Sequence, residues 1–295
     1  MELNLTSSKT TTATKSVRLA SLDALRGFDM LMISGGGSFI YLMRGKTDWV
    51  WRDAVANQFE HPDWNGFTFY DFIFPLFLFM AGVSLSFSLG NGLSKGISKA
   101  ELAKKVAKRM AILFILGILD KNAPVDIFDP AHIRYGTVLG RIGIATFLVA
   151  LLYMNFSWKQ MLSIAIGILV LYFAALMLIP APGFSAGDLT FEGNLVGWID
   201  RNFMPGRLKQ TTYDELAMTT QLSATCLTIF GCLTGDLLQK SLTINKKLSQ
   251  LALMGIVGVG VGLLWSTVFP LNKHLWSSSF ILVTAGMSSL LVALF

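Results

Sequence analysis

The chain has 295 residues, 53% of them hydrophobic and 14% charged, with a mean hydropathy of +0.57. A soluble domain carries roughly 25% charged residues, so this composition excludes a water-soluble globule. The net charge of +6 comes with nothing resembling a nucleic-acid-binding module, and reads as a signature of membrane topology.

Residues 1–18 are polar and Thr-rich, expected to form a disordered cytoplasmic tail. No removable signal peptide is apparent, because the first apolar run contains Asp23, Arg26 and Asp29. Apolar runs near the length a bilayer demands place spans near 22–43, 69–90, 109–120, 136–154, 160–180, 216–238, 250–269 and 278–295. The expected fold is therefore all-α, a polytopic transmembrane helix bundle of about eight spans. The third run is short and ends at Asp120 and Lys121; it is a half-span, or one whose first turns run through the basic segment before it. The last run ends at Phe295 without a polar flank and reads as a chain that stops before its final helix is complete.

Lys and Arg gather at Lys95–Arg109 and in other segments on the same side as the tail, which favours a cytoplasmic N-terminus. The Lys95–Arg109 segment suits anionic headgroups or an anionic cytosolic ligand. Charges inside spans are expensive and each raises a functional question. Asp23 and Arg26 lie three residues apart on one helical face and can pair, or Arg26 can reach a ligand. Arg141 follows Arg134 by about two turns; a bound polyanion, or a salt bridge to Asp120, Asp126 or Asp129, would relieve their repulsion. Gly35–Gly37 and Gly255, Gly258, Gly260 and Gly262 permit close helix packing or local unwinding. Cys226 and Cys232 share one predicted span and indicate neither a disulfide nor a metal site, and the three histidines lack metal-ligand spacing.

The most informative stretch is Glu60-His-Pro-Asp-Trp-Asn-Gly-Phe-Thr-Phe-Tyr-Asp71. A histidine is the natural proton acceptor at neutral pH. Asp71 lies in the first turn of the second span, and if the loop folds back through Trp64-Asn-Gly66 it can stand behind His61 and fix its tautomer. A second loop, Phe269-Pro-Leu-Asn-Lys-His-Leu-Trp-Ser, offers an amide, a cation and an aromatic face in Asn272, Lys273 and Trp276. That combination suits a sugar, as do Trp64 and Asn65.

Leu19-Ala-Ser-Leu-Asp-Ala-Leu-Arg-Gly27, His61-Pro-Asp-Trp-Asn-Gly with Asp71, Arg141-Ile-Gly, Tyr213-Asp-Glu-Leu and Pro270-Leu-Asn-Lys-His-Leu-Trp-Ser together resemble the heparan-α-glucosaminide N-acetyltransferase family of transmembrane acyltransferases. The resemblance implies a transmembrane acyltransferase domain over 19–295, incomplete at its C-terminus. It implies acetyl transfer from cytosolic acetyl-CoA to the amino group of a terminal glucosamine across the membrane, with His61 catalytic and Asp71 a site residue.

A glucosamine amine must lose a proton before it attacks a thioester, and His61 fits that task, either as a base for direct attack or as a carrier of the acetyl group. Asn65, Asn272 or Lys273 could face the oxyanion, and Arg26 and Arg141 could anchor CoA. The expected partners are amino-sugar or oligosaccharide acceptors and membrane lipids, with a homodimer as the candidate assembly and no nucleic acid. The expected location is a bacterial inner membrane. The alternatives are O-acylation of a cell-envelope glycan and transport of small anions or sugars.

Overall fold

Every apolar run of the sequence winds into helix, because within a bilayer only an α-helix satisfies its own backbone polar groups segment by segment. The computed structural model describes residues 20–42, 44–46, 50–124 and 128–295; the tail at 1–18 and Asp126 lie outside the described residues. The elements are α1 (Ala20–Leu31), a π-turn (Met32–Gly36), α2 (Gly37–Leu42), α3 (Val50–Asn57), α4 (Phe69–Ser94), α5 (Lys99–Asn122), α6 (Val138–Asn155), α7 (Trp158–Leu178), α8 (Leu195–Phe203), α9 (Gln221–Gln239), α10 (Ile244–Trp265) and α11 (Ser278–Leu294). Five of them, α4, α6, α7, α9 and α10, are long and apolar enough to cross a membrane, and α11 is an apolar helix of shorter length. The chain is an all-α integral membrane protein.

Two runs of uncertain character take definite form. The first is broken at its glycine triplet, where Gly35 has φ 132°, a backbone state that glycine alone adopts without strain. The short third run belongs to a longer helix: Ser98 caps α5 by accepting from the Glu101 amide at 3.2 Å, and the first turns run through Lys104, Lys105 and Lys108.

Helices α4 and α9 form the centre, each with 67% of its apolar window buried. They meet backbone to backbone: a side chain at Gly82 would strike the Thr228 and Cys232 main chain, and one at Gly231 the Phe79 main chain. Small residues permit such approaches, which replace the missing hydrophobic drive between helices in lipid with dispersion contacts. Gly255, Gly258 and Gly262 of α10 likewise face Gly286, Leu282 and Val283 of α11, whereas Gly260 faces open space. Cys226 and Cys232 are buried free thiols in α9. On the periphery, α10 leaves Leu253, Ile256 and Leu264 exposed, as a lipid-facing helix would.

The alternating helices sort their connections onto two faces. One collects residues 58–68, 123–124, 128–137, 179–220 and 266–277; the other collects the turns at 95–98, 156–157 and 240–243 with the basic start of α5. On the basic face Lys99 reaches Asn155 at 3.4 Å, and Lys159 and Lys240 lie over the Trp158 ring.

Asp23 and Arg26 do pair, at 3.7 Å, and Arg26 also bonds Ser84 of α4. The counter-ion of Arg134 differs from those read from the sequence: it is Asp214, held by two bonds of 2.7 and 2.8 Å. Asp120 pairs with Lys121 and Asp129 with His132 instead. A planar guanidinium prefers a carboxylate it can grip with two parallel N–H groups, and Asp214, buried beside it, offers both oxygens.

Candidate functional site

The site begins at the cap of α4. Thr68 donates to Asp71 Oδ2 through its amide at 3.1 Å and its hydroxyl at 3.2 Å, closing the reciprocal cap common at helix starts. This leaves Asp71 Oδ1 for the His61 Nδ1, 2.6 Å away. The carboxylate side chain is 1% exposed and the imidazole 44%, so a buried acid holds a ring that faces outward. With Nδ1–H donating to the carboxylate, Nε2 carries the lone pair. Tyr70 stacks on the imidazole at 4.9 Å. An open cavity of about 420 Å³, lined by Glu60, His61, Asp63 and Thr68, lies before the ring.

The α10–α11 turn closes over this pair. Asn272 is fully buried; its Oδ1 accepts from the Leu275 amide at 2.8 Å and its Nδ2 donates to Asn65 at 3.0 Å. The Ser277 hydroxyl accepts from the Asn272 amide at 3.1 Å and donates to the Pro270 carbonyl at 2.8 Å. The Gly66 amide donates to the Leu271 carbonyl at 2.9 Å. Trp276 sits at φ 47°, a conformation that costs a bulky residue on the order of 1–3 kcal/mol and that this bonding sustains. The turn so built puts Lys273 Nζ 3.3 Å from each ring nitrogen of His61 and 3.3 Å from Asp71 Oδ1. Burial pulls the Lys273 ammonium below its ordinary range, against the pull of Asp71 and Glu215 toward the charged form.

A third segment, between α8 and α9, supplies the back wall. Glu215 lies 3.5 Å from His274 Nδ1 and 2.8 Å from Lys209 Nζ. Burial works to raise the Glu215 carboxyl, but the Lys209 hydrogen bond and the charges of Lys209, Lys273 and His274 outweigh it and hold it below the usual range. Burial pulls His274 down, although Glu215 favours its protonated form. Trp64 stacks on His274 at 5.2 Å and 11°, meets Tyr213 edge-on, and donates to the Leu189 carbonyl at 2.7 Å.

The structure thus brings together His61, Asp71 and Lys273, joins Asn65 to Asn272, and sets Trp64 beside them. Trp276 departs from the sequence reading: it is 1% exposed, packed against Phe74 and Phe280, so its face is spent inside the protein and not offered to a ligand. Arg141, in the first turn of α6, stands 4.7 Å over that ring. It bonds the Ala217 carbonyl and the Thr220 hydroxyl, while its Nε and one terminal nitrogen, the Tyr213 hydroxyl and the Trp276 indole N–H have no partner among the described residues. A buried cation with unused donors fits an oxygen-rich ligand. Arg26, by contrast, bonds Ser84, well along α4 from Asp71, and stays outside the cluster. Glu215 and His274 were missed as members of the network; their signals were the Tyr213-Asp-Glu-Leu motif and the position of His274 next to Lys273.

A family model described as a domain of unknown function, DUF5009, matches residues 18–196. The chain is similar to the curated proteins named heparan-alpha-glucosaminide N-acetyltransferase from Homo sapiens and Mus musculus, 24% identical to each over 324 aligned residues that take in 90% of this chain and 46% of the relative. The chain therefore spans about half the length of the curated relatives it matches.

Proposed function

The chain belongs to the DUF5009 family, and from that premise we propose that it is a membrane-bound acetyltransferase moving acetyl from cytosolic acetyl-CoA to the amino group of a glucosamine-type sugar. Residues 19–295 would act as one acyltransferase unit in a bacterial inner membrane, with the N-terminus and the basic face cytoplasmic and the His61 face outside. The names of the two relatives support the reaction class, and the observation that carries it is the His61–Asp71 pair with Lys273 at 3.3 Å from both.

Each residue then has a task. A glucosamine amine is largely protonated at neutral pH and needs a base before it can attack. His61 Nε2 takes that proton, and Asp71 stabilises the imidazolium that results. Lys273 presents its ammonium to the negative charge that grows on the carbonyl oxygen. His61 returns its proton to the departing sulfur as the carbon–sulfur bond breaks, and the second proton of the former ammonium leaves the new amide nitrogen to water, so the base is restored. Acetyl-CoA supplies the acetyl group as a thioester, and the unpartnered donors of Arg141 would hold its oxygen atoms.

The test is release of free CoA by purified protein given acetyl-CoA and glucosamine. Release is expected from the native chain and not from His61→Ala; equal release from both would remove His61 from the reaction. Product mass after parallel incubations with amine and hydroxyl acceptors separates N- from O-transfer.

A further inference from the structure

At the end of the bundle away from His61, α7 begins with two cations gathered on one aromatic ring. Trp158 opens that helix and is 51% exposed. Lys159 beside it, and Lys240 from the turn after α9, hold their ammonium groups 5.6 and 5.7 Å from the centre of its ring. A cation over an indole is drawn to the ring quadrupole but keeps its charge. Neither lysine has a carboxylate partner among the described residues. The acids of the neighbouring α5 and α9 ends are engaged elsewhere, Glu101 with Lys105 at 2.8 Å and Asp236 with the Tyr153 hydroxyl at 2.7 Å.

Beyond the cations the same face of α7 turns apolar. Lys159, Ser163, Ile166 and Val170 follow at the three- and four-residue spacing that lines one side of a helix, and all four are exposed, Ile166 at 50% and Val170 at 47%. Gly167 beside them leaves open space where a side chain would stand. At 1.5 Å per residue the rise from Lys159 to Val170 is about 16 Å, close to the roughly 15 Å of half a bilayer's hydrocarbon core. The stripe therefore has the length of one leaflet, with charge at its headgroup end and a tryptophan at the interfacial level that indoles favour.

We propose that this face of α7 seats an anionic phospholipid of the phosphatidylglycerol class, in the leaflet on the basic side, with its phosphate held by Lys159 and Lys240 and one acyl chain laid along Ile166, Gly167 and Val170. A zwitterionic lipid brings its own cation to the phosphate and forfeits the attraction. A soluble phosphate would meet the two charges but leave the apolar stripe unused. The seat bears on the His61 face through α7 itself. The Leu169 carbonyl accepts from the Ser278 hydroxyl at 2.7 Å, and Tyr172 donates to the Leu275 carbonyl at 2.8 Å, so the helix that the lipid holds also holds the turn that carries Lys273. This lipid seat does not depend on acetyl transfer, and its test needs no turnover.

The experiment places the full chain in nanodiscs of phosphatidylcholine with a minor share of phosphatidylglycerol, releases it into nonionic detergent, and counts the retained lipids by native mass spectrometry. The native protein is expected to retain phosphatidylglycerol about tenfold above its share of the bilayer, within what two lysines near an anionic surface supply. Lys159→Gln combined with Lys240→Gln should bring retention down to that share. Lys104→Gln combined with Lys108→Gln, which removes the same charge from exposed positions of α5, should leave it unchanged. Phosphatidylglycerol should also raise the melting temperature of the native protein and not that of the Lys159 and Lys240 variant, with equal melting of the two in phosphatidylcholine alone. Retention at the bilayer share in the native protein would overturn the seat. An equal loss in both double variants would reduce it to diffuse attraction and overturn it as well. Displacement of the lipid by sodium phosphate, but not by sodium chloride of equal ionic strength, would assign the cations to a soluble phosphate and overturn the lipid as occupant.

Discussion

Asp71 gives one carboxylate oxygen to Thr68 and the other to His61, so a single side chain both starts α4 and sets the imidazole. Because the Thr68 amide is a fixed donor, Asp71→Asn must turn its oxygen toward Thr68 and its NH2 toward His61. The ring is then forced to accept at Nδ1 and to carry its proton on Nε2, where the base should be. Steady-state kinetics should show kcat lower by about 10²–10⁴-fold, the usual worth of a positioned base, with KM little changed.

Lys273→Met keeps the bulk of the side chain and removes its charge. If the ammonium faces the developing oxyanion, kcat/KM should fall by about 10²–10³-fold, as when one such donor is removed elsewhere. The melting temperature should not fall, since the variant also removes a buried charge. A normal rate in this variant would mean that Lys273 only fills space.

Asn272→Ala is expected to act through the turn. The Leu275 amide would be left buried without its acceptor, at a cost of about 1–3 kcal/mol, and Asn65 would lose its partner. Thermal unfolding in detergent should report a lower midpoint, accompanied by a lower kcat because Lys273 rides on the same turn.

Stability should fall on acidification in two stages. Burial holds the folded-state pKa of His274 below the ordinary value of 6.5, so below that value the unfolded chain takes up a proton first and stability is lost as pH falls toward the folded pKa. Glu215, held below its ordinary 4.5 by Lys209, contributes stability above that value that is lost on further descent. His274→Phe, which keeps a ring against Trp64, should flatten the first stage and leave the second in a series of melts from pH 8 to pH 4.

Gly231→Leu addresses the fold apart from the site. Its side chain would meet the Phe79 main chain of α4, which cannot swing aside, and overpacking of this kind costs about 1–3 kcal/mol. Both the yield of folded protein and its melting temperature should drop, with glucosamine KM unaltered in the fraction that folds.

Hydropathy located the helices because bilayer thickness imposes one length on every span. It saw α5 only in part, since the helix continues through Lys104, Lys105 and Lys108, which carry no apolar signal. The His61–Asp71 pair was legible because both residues flank one helix start, within reach of local reasoning. Asp214 as the partner of Arg134, and Glu215 as the partner of His274, were not, for each joins segments far apart in the chain. Trp276 was misread as a sugar platform because its residue type says nothing of the direction of its ring. That direction follows from its left-handed backbone and from Phe74 and Phe280, neither of which a single sequence displays.

The position of Lys273 in the α10–α11 turn has a bearing on biogenesis. His61 and Asp71 lie at the start of α4 in the order of synthesis, whereas Lys273 and Asn272 enter later, with the α10–α11 hairpin. A chain halted after α9 would hold the imidazole and carboxylate with no ammonium beside them. Competence for the proposed chemistry would thus wait on the α10–α11 hairpin, and until it enters a nascent chain would hold its base assembled but idle.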